Sequence, residues 1–363
     1  MRRIVAVDAP AAVLAAAETL RREGHDGTLT LIGAEPHPPY DRPPLSKRFL
    51  TGRWTSGQAA LRPPADLDAL DLDLRLGTAA TGLDPVSRTV RPADGPAVSY
   101  DALPLRGRLG PGRRLVVVGA GFLGAEAAAT AAELGTDVIL LEPAPVPLAA
   151  VAGTEAGQVL SRALERGVRL RTGVVVSEVT EAGVLLADGE VVEGDEVLVA
   201  LGSRPNTERL AGSGLTVDDG VACDAYCQAA PGVYAAGDVA RWYNPLFERS
   251  MRIEHRTNAA EQGMAVARNL LTAPHARKPF APMPHFWSDQ YGMKIQAYGC
   301  LRGDDEVVVV EGNLAERRFT AVHRTGDRLT GALAVGMPPR AVRQGRQAIA
   351  VRTARRDAVP IRP

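Results

Sequence analysis

The stretch Leu115–Glu126 reads LVVVGAGFLGAE, and the fold of the whole chain is interpreted outward from it. An apolar β-branched run leads into Gly119, Gly121 and Gly124, and an alanine-rich helical pattern follows. Glycines with this spacing permit a tight turn, let the backbone approach a pyrophosphate, and let a helix pack closely on its strand. The helix N-terminus adds unpaired N–H groups and a positive dipole end. The stretch predicts a dinucleotide-binding turn, with a purely structural glycine turn as the alternative.

An acidic residue follows this turn where a nucleotide site needs one. The next predicted strand covers 137–141 and ends at Glu142, roughly twenty positions after Gly119. A carboxylate at this distance accepts hydrogen bonds from ribose hydroxyls and repels the 2′-phosphate of NADP(H). We therefore expect NAD(H) as the bound dinucleotide.

The composition is that of a globular protein with substantial cores. The chain has 363 residues, of which 45% are hydrophobic, so two or three domains are expected. The 42 basic and 42 acidic residues balance, which argues against a nucleic acid partner. The N-terminus reads as a first strand and no apolar run is long enough to span a bilayer. We therefore expect a cytoplasmic protein without a membrane partner.

The cysteines and histidines do not follow the spacing of a disulfide or metal framework. Cys223, Cys227 and Cys300 are odd in number, and the first pair is not a CxxC motif, so we expect three buried thiols. The six histidines never stand four apart, and none lies within a few residues of a cysteine. The sequence predicts no metal site.

Motifs along nearly the whole chain occur in the order found in one family. A strand pattern at 4–7, a helical pattern at 11–23 and a strand pattern at 28–32 form another βαβ beginning. The matching motifs are GAEPHPPYDRPPLSK from Gly33, YDAL from Tyr100, GSRPN from Gly202, GVYAAGDVA from Gly232, NPLF from Asn244, EHRTNAAEQG from Glu254 and FWSDQYGMKIQ from Phe286. With the glycine turn, they resemble the FAD-dependent, NADH-using ferredoxin reductases of bacterial oxygenase systems.

The resemblance implies an α/β fold with two Rossmann-like dinucleotide-binding domains, one of FAD type and one of NADH type, and a C-terminal α/β domain. Residues 1–106 and 221–283 would form the discontinuous FAD-type domain, and 107–220 would form the NAD(H)-binding domain. Residues 284–347 would form the C-terminal interface domain, followed by a tail at 348–363. The family often pairs through its C-terminal domain, so a homodimer is a further expectation.

The first βαβ unit departs from the family pattern. Asp8, Pro10 and Val13 stand where the family has the three glycines of its FAD turn. A carboxylate repels phosphate, proline removes an amide donor, and valine thickens a close approach. Between Leu103 and Leu115 the chain is a few dozen residues shorter than the family pattern, and Arg256 replaces a tryptophan near the flavin. The sequence therefore predicts that FAD binding is weakened or lost.

Other family positions persist. The resemblance assigns a residual FAD pocket to Glu35, Arg42, Lys47, Gly237, Asp238 and Trp287. It also places Glu126 near the nicotinamide amide and lets the backbone at Gly202 approach NAD(H). The structural alternatives are a proline-held loop around residues 36–47, a helix cap at Asp238, a core role for Trp287, and a helix-dipole role for Glu126.

Three functions follow from this pattern. The main prediction is a repurposed oxidoreductase or redox-neutral enzyme that binds NAD(H) and a small organic substrate in the vacated flavin pocket. The first alternative is an FAD-dependent NADH:ferredoxin reductase, whose partner is a ferredoxin, and the second is a non-catalytic relative that binds NAD(H) or a partner protein. The catalytic residue is not identified, and the candidates are Lys47, Asp238, Glu254 and His255.

Overall fold

The computed structural model describes residues 3–8, 10–92, 108–164, 167–290, 292–326 and 328–350. The YDAL motif, residues 103–107 of the shortened segment between Leu103 and Leu115, and most of the predicted tail lie outside these ranges. Within them, no helix combines the length and the apolar character needed to cross a bilayer.

Helices are interspersed among the strands up to residue 172, and strands predominate from there on. The helices are α1 Pro10–Arg22, α2 Pro64–Asp68, α3 Phe122–Glu133, α4 Ala149–Leu164, α5 Arg256–Leu271 and α6 Pro339–Ala350. The first twelve strands are β1 Arg3–Val7, β2 Thr28–Gly33, β3 Leu72–Leu76, β4 Ala80–Asp84, β5 Thr89–Pro92, β6 Arg114–Val118, β7 Asp137–Glu142, β8 Val168–Thr172, β9 Val176–Thr180, β10 Gly183–Leu186, β11 Val191–Glu193 and β12 Glu196–Val199. The others are β13 Val221–Cys223, β14 Gln228–Ala230, β15 Val233–Tyr234, β16 Ala240–Asn244, β17 Arg249–Arg252, β18 His285–Gln290, β19 Met293–Gly299, β20 Glu306–Asn313, β21 Arg318–Thr325 and β22 Arg328–Val335.

The first compact unit comprises residues 1–43, 55–101 and 203–282. Its parallel sheet has the order β1-β2-β3, and α1 connects β1 with β2. A second sheet has the order β13-β16-β17, and two hairpins, β4–β5 and β14–β15, complete the described strands. This unit contains the predicted first βαβ beginning.

The second compact unit comprises residues 44–54, 102–202 and 283–363. Its parallel sheet has the order β12-β6-β7-β8, with α3 between β6 and β7. An antiparallel sheet of order β11-β10-β9 and a five-stranded antiparallel sheet of order β18-β19-β22-β21-β20 follow. The predicted α/β class is confirmed, while the predicted domain boundaries stay predictions.

The β6 strand forms the centre of the second unit because its residues are apolar on both faces. All of Leu115–Val118 are at most 3% exposed, as expected for an inner strand of a parallel sheet. Against them lies the alanine face of α3, where Ala125, Ala128 and Ala131 are fully buried. Small side chains let the helix approach the sheet closely, so the glycine turn between them is held on both sides.

Helices α1 and α5 pack closely in the first unit. A Cβ at Gly263 of α5 would lie 2.1 Å from the carbonyl oxygen of Ala12 in α1. The final glycine of the EHRTNAAEQG motif is therefore required by helix packing.

The last helix packs on the five-stranded sheet through small residues. A Cβ at Gly345 in α6 would lie 2.6 Å from the Cβ of Ala332 in β22. Residues 348–350, which the sequence assigns to the tail, form the end of this helix, and Ile349 is buried there.

A buried histidine in this sheet makes stability depend on pH. His323 in β21 is 0% exposed, and burial lowers its pKa below the ordinary 6.5, although the Asp305 carboxylate, 3.8 Å from Nδ1, opposes this. Because the folded pKa is depressed, the stability is complete above the unfolded pKa and is lost as pH falls from there through the folded pKa. We expect the free energy of unfolding to fall by up to about 1.4 kcal/mol per pH unit below about pH 6.5.

Urea unfolding at pH 7.5, 6 and 5 measures this dependence. His323→Leu should reduce it, although not abolish it, because burial also lowers the pKa of His25 and of His285, whereas His37→Gln, at an exposed position, should keep the wild-type slope. A His323→Leu variant with the wild-type pH dependence would contradict the assignment.

Candidate functional site

The glycine turn of the second unit joins β6 to α3. Gly119 has φ 100°, a left-handed conformation that favours glycine, and a Cβ there would lie 2.5 Å from the carbonyl oxygen of Ala200. Gly124 lies in the first turn of α3, where a Cβ would lie 1.9 Å from the carbonyl oxygen of Gly119. Gly119 is therefore required for its backbone conformation and because no space is left for a side chain. Gly124 is required by helix packing alone.

The middle glycine of the turn faces open space. Gly121 precedes α3 as its cap residue, with extended backbone at φ −69° and ψ −178°, and no atom lies within 4 Å of a Cβ built there. The first N–H groups of a helix point out of this end. Gly202, which follows β12 with φ 91°, is similarly open. A ligand can therefore approach the backbone at both positions.

Glu142 holds the turn itself. Its Oε2 accepts a hydrogen bond of 2.7 Å from the backbone N–H of Ala120, and its Oε1 accepts one of 3.0 Å from the N–H of Ala144. The ribose role predicted for Glu142 stays a prediction, since each carboxylate oxygen has a further lone pair. The contact with Ala120 is a structural role that the sequence analysis missed.

Glu126 is a buried carboxylate that several donors surround. It lies in α3, is 6% exposed, and forms an ion pair with Lys47, whose Nζ lies 3.2 Å from Oε1. Ser46 Oγ donates to Oε2 at 3.2 Å, Ser288 Oγ donates to Oε1 at 2.5 Å, and the N–H of Asp289 donates to Oε1 at 3.3 Å. The structure thus brings two predicted site residues, Glu126 and Lys47, into one network.

Two short segments deliver the partners of Glu126. Residues 44–54 belong to the second unit, and the hydroxyl of Thr130 donates to the carbonyl oxygen of Ser46 at 3.2 Å. On β18, the amide of Gln290 donates to Ser288 Oγ at 3.0 Å, which orients this hydroxyl toward Glu126. Both segments, PPLSK and FWSDQY, lie within the family motifs, but no local pattern predicts a role for their serines.

The corresponding turn of the first unit has a different chemistry. Asp8 follows β1 with φ 53°, and its N–H donates to the carbonyl oxygen of Ile32 at 3.0 Å. Its carboxylate forms an ion pair with the guanidinium of Arg209, and the two side chains are 33% and 17% exposed. Helix α1 begins at Pro10, which has no N–H to donate. Arg209 was not predicted from the sequence because it lies 201 positions away from Asp8.

Asp238 and Glu254 lie in one charged cluster of the first unit. Arg252 forms an ion pair with Glu254 and donates to the carbonyl oxygen of Asp238 at 3.3 Å. It also pairs with Asp219 at 3.2 Å, and Ser203 Oγ donates to Glu254 at 2.5 Å. Glu254 is therefore held by an arginine and a hydroxyl, which leaves it poorly placed to act as a base.

The carboxylate of Asp238 is less well compensated. Its surface is partly exposed, yet surrounding protein atoms desolvate it, and this is the largest cause that raises its pKa. The Glu254 carboxylate raises the pKa further, whereas Arg42 and Arg252 lower it. Asp238 is thus a partly exposed acceptor in an environment that disfavours its negative charge.

The proline-rich loop carries two further ion pairs. Arg42 lies 3.1 Å from Glu35, and burial, followed by the Glu35 carboxylate, raises the pKa of Tyr40. Arg256, which stands at the family's tryptophan position, pairs with Asp41 at 3.0 Å. Two predicted pocket residues, Glu35 and Arg42, therefore contact each other.

The other predicted residues are placed separately. His255 occupies the N-cap position of α5 without a side-chain capping hydrogen bond, and the N–H of Gly237 donates to Gln262 Oε1 at 2.8 Å. Trp287, in β18 of the second unit, is 37% exposed. Lys47 belongs to the second unit and Asp238 to the first, and the predicted catalytic candidates do not form one constellation within either unit.

Metal and thiol chemistry find no support in the described part of the chain. No group of three or more His, Cys, Asp or Glu side chains there could hold a metal ion. Cys223 and Cys227 are free thiols, and Cys227 and Cys300 are buried. Burial raises the pKa of both Cys223 and Cys227 to about 12.

These thiols should be inert in the native protein. At pH 8 a thiol with a pKa of about 12 is ionised in roughly one molecule in ten thousand, and the thiolate is the reactive form. We expect iodoacetamide to leave Cys223 and Cys227 unmodified at pH 8 over an hour and to modify both in urea. Intact-mass measurement with peptide mapping checks this, and fast native alkylation of either residue would contradict it.

Comparison with known proteins gives the family. The model for pyridine nucleotide-disulphide oxidoreductases matches residues 80–263, and the model for the reductase C-terminal domain matches residues 285–360. The chain belongs to the pyridine nucleotide-disulphide oxidoreductase family and, within it, to the same family as the ferredoxin reductases of bacterial oxygenase systems. The resemblance stated from the motifs is therefore confirmed.

Individual relatives agree with this assignment. The ferredoxin–NAD(+) reductase component of the anthranilate 1,2-dioxygenase system of Burkholderia cepacia is 34% identical, over 92% of this chain and 90% of that protein. Putidaredoxin reductase of Pseudomonas putida is 31% identical over 95% and 89% of the two chains. The covalent complex of putidaredoxin reductase with putidaredoxin matches with a TM-score of 0.88, covering 99% of this chain and 97% of that one at 30% identity.

These relatives change the functional prediction. They are ferredoxin reductases, so the predicted small organic substrate and repurposed enzyme are not supported. The first alternative, a reductase with a ferredoxin partner, is favoured instead. Three changes around the expected flavin site suggested a change of function, but none of them alters the glycine turn at Gly119–Gly124. The homodimer stays a prediction.

The family uses FAD, and the first unit fits this cofactor only in part. Asp238 offers an exposed carboxylate that can accept hydrogen bonds from hydroxyl groups. At the phosphate turn the residues do not fit, because Asp8 presents a carboxylate and Pro10 lacks an amide donor. Asp238 can therefore accept hydrogen bonds from hydroxyl groups of the cofactor, whereas the chemistry of Asp8 and Pro10 disfavours its phosphates.

Proposed function

We propose that this chain is an NADH-dependent reductase that passes electrons to a ferredoxin and uses a weakly held FAD. The observation that carries the proposal is the open glycine turn at Gly119–Gly124 beside the buried Lys47–Glu126 pair. The ferredoxin reductase relatives support it independently.

The second unit supplies the features that NADH binding requires. The turn offers backbone at Gly121 and the N-terminus of a twelve-residue helix, which together favour a pyrophosphate. Glu142 fixes the turn through Ala120, so the amides are oriented before a ligand arrives. Preorganisation of this kind lowers the cost of ordering on binding.

The Lys47–Glu126 pair supplies a fixed cation. Lys47 is 22% exposed, so its ammonium can face a ligand while Glu126 holds it from the protein side. A held ammonium stabilises negative charge that develops close to it. When bound, the flavin would convert a two-electron hydride into two single-electron transfers, which is chemistry that the side chains themselves cannot perform.

Purified protein should reduce ferricyanide and a ferredoxin with NADH once FAD is added in excess. Ferredoxin reduction is followed through cytochrome c, and the Gly121→Leu variant is the control that lacks the NADH turn. Turnover that needs NADH and FAD and is lost in Gly121→Leu supports the proposal. Its absence at saturating FAD, with NADH binding intact, would overturn it.

A non-catalytic relative is the second candidate, and the Asp8–Arg209 ion pair favours it, because a chain that binds no flavin cannot split a hydride. It predicts NADH binding by calorimetry with no acceptor reduction at any FAD concentration. The same assay therefore separates the two functions.

A further inference from the structure

Asp8, at the start of the first βα turn, keeps a backbone conformation with positive φ although no glycine stands there. Asp8 has φ 53°, a positive value like the 100° of Gly119 in the intact turn, and aspartate is among the few residues that tolerate this region. Its N–H still bonds to β2 through the carbonyl oxygen of Ile32. At Asp8 the chain therefore differs from Gly119 in its side chain, while its backbone is held to the neighbouring strand by a hydrogen bond of the same kind, since the N–H of Gly119 donates to the carbonyl oxygen of Leu141.

An internal ion pair lies at this turn, where a phosphate would bind. The carboxylate of Asp8 and the guanidinium of Arg209 are paired, and both side chains are at least two-thirds buried. Arg209 comes from the short 3₁₀ turn Glu208–Leu210 of the same unit. The N-terminus of α1 would attract an anion, but the Asp8 carboxylate already lies there. The Arg209 guanidinium neutralises the charge of this carboxylate.

We infer that the Asp8–Arg209 ion pair closes the phosphate end of this turn, so FAD is held weakly and exchanges with the solvent. A phosphate that enters must approach the Asp8 carboxylate or displace it from Arg209, and both are unfavourable. Removing the carboxylate frees a guanidinium that matches the geometry of a phosphate. This inference rests on the proposed use of FAD.

Asp8→Gly is a favourable substitution for testing this inference. Glycine adopts positive φ more readily than aspartate, so the turn needs no rearrangement. Asp8→Asn keeps the size of the side chain and also tolerates positive φ, so it removes only the charge. Circular dichroism and thermal melting establish that each variant is folded.

The measurement is the dissociation constant of FAD, obtained from quenching of flavin fluorescence. We expect Asp8→Gly to bind FAD between about tenfold and a thousandfold more tightly than wild type, since a carboxylate near 4 Å from a phosphate is worth up to about 4 kcal/mol. Asp8→Asn should gain in the same direction. Riboflavin, which carries no phosphate, should bind wild type and Asp8→Gly with similar affinity.

Arg209→Ala completes a double-mutant cycle. In the Asp8→Gly background it should remove most of the gain in FAD affinity, because the freed guanidinium is then absent. In the wild-type background it should weaken FAD binding, because the Asp8 carboxylate loses its counter-charge. A gain that survives in the double variant assigns it to the lost carboxylate alone and overturns the role of Arg209 as a phosphate ligand.

Failure of this inference can be told apart from failure of the proposed function. Equal FAD affinities of wild type, Asp8→Gly and Asp8→Asn, within twofold, would overturn the inference whether or not the protein reduces ferredoxin. Tighter FAD binding by Asp8→Gly without any NADH-dependent turnover would support the inference and overturn the proposed function. NADH binding is measured in the same samples, because its turn lies in the other unit.

Discussion

Replacing Gly121 with leucine is expected to weaken NADH binding by about a hundredfold or more while leaving the fold intact. A side chain at this position meets no protein atom within 4 Å, and the backbone is extended, so the folded state accepts it. It fills the space through which a pyrophosphate approaches the turn. Losing two hydrogen bonds to a charged group, at about 1.5–3 kcal/mol each, gives an effect of this size.

Calorimetry measures the affinity for NADH, and thermal melting measures whether the fold is intact. Gly57→Leu is the matched control, since a Cβ at Gly57 also meets nothing within 4 Å but lies in a short turn of the first unit. It should leave the affinity for NADH unchanged. If Gly121→Leu bound NADH as tightly as wild type, the dinucleotide would bind elsewhere.

Replacing Lys47 with methionine is expected to destabilise the protein by about 3 kcal/mol. The substitution leaves the Glu126 carboxylate 6% exposed and without its counter-ion, although the hydroxyls of Ser46 and Ser288 still donate to it. An uncompensated buried charge is costly, so Glu126→Gln, which removes the charge, should cost less than Lys47→Met. Urea unfolding measures both variants.

Two controls separate burial from charge pairing as such. Arg62→Met breaks the more exposed ion pair with Glu18 and should cost less than about 1 kcal/mol. The double variant Lys47→Met with Glu126→Leu should recover part of the loss, because neither charge remains. A Lys47→Met protein that unfolds at the wild-type urea concentration would contradict the importance of the buried pair.

The fold could be predicted from the sequence where one physical cause dominated. The strand Arg114–Val118 and helix Phe122–Glu133 follow from an apolar run, three glycines and an alanine-rich face, all within thirty positions. The roles of Gly119 and Gly124 are also local, since each is fixed by its own turn or helix. Predictions of this kind need no knowledge of distant parts of the chain.

Pairings between distant residues could not be predicted. Arg209 lies 201 positions from Asp8, and Ser288 lies 162 positions from Glu126, and no local pattern marks either of them. A serine or arginine in a loop has many possible partners, and only the tertiary fold selects one. The resemblance assigned Lys47 and Glu126 to cofactor-binding positions, but it did not indicate that the two side chains form an ion pair.

The main functional prediction, which converted lost residues into a new activity, is not supported by the relatives, which favour the first alternative. Asp8, Pro10 and Val13 describe what the first turn cannot do, and an absent interaction does not specify a substrate. The intact residues of the second unit and the relatives favour the inherited reaction. Side-chain losses at one end of a cofactor are better understood as changes in affinity.

The buried Glu126 carboxylate also affects the order in which the chain folds during synthesis. Its partner Ser46 lies 80 positions earlier, but Ser288 lies 162 positions later, so a ribosome must add that whole length before the carboxylate has all its donors. Until then the nascent second unit holds a charged group in an incomplete interior. Non-local contacts of this kind slow folding and expose intermediates. The C-terminal sheet therefore completes the surroundings of Glu126 in the second unit, and we expect chains interrupted before it to be preferred substrates for chaperones.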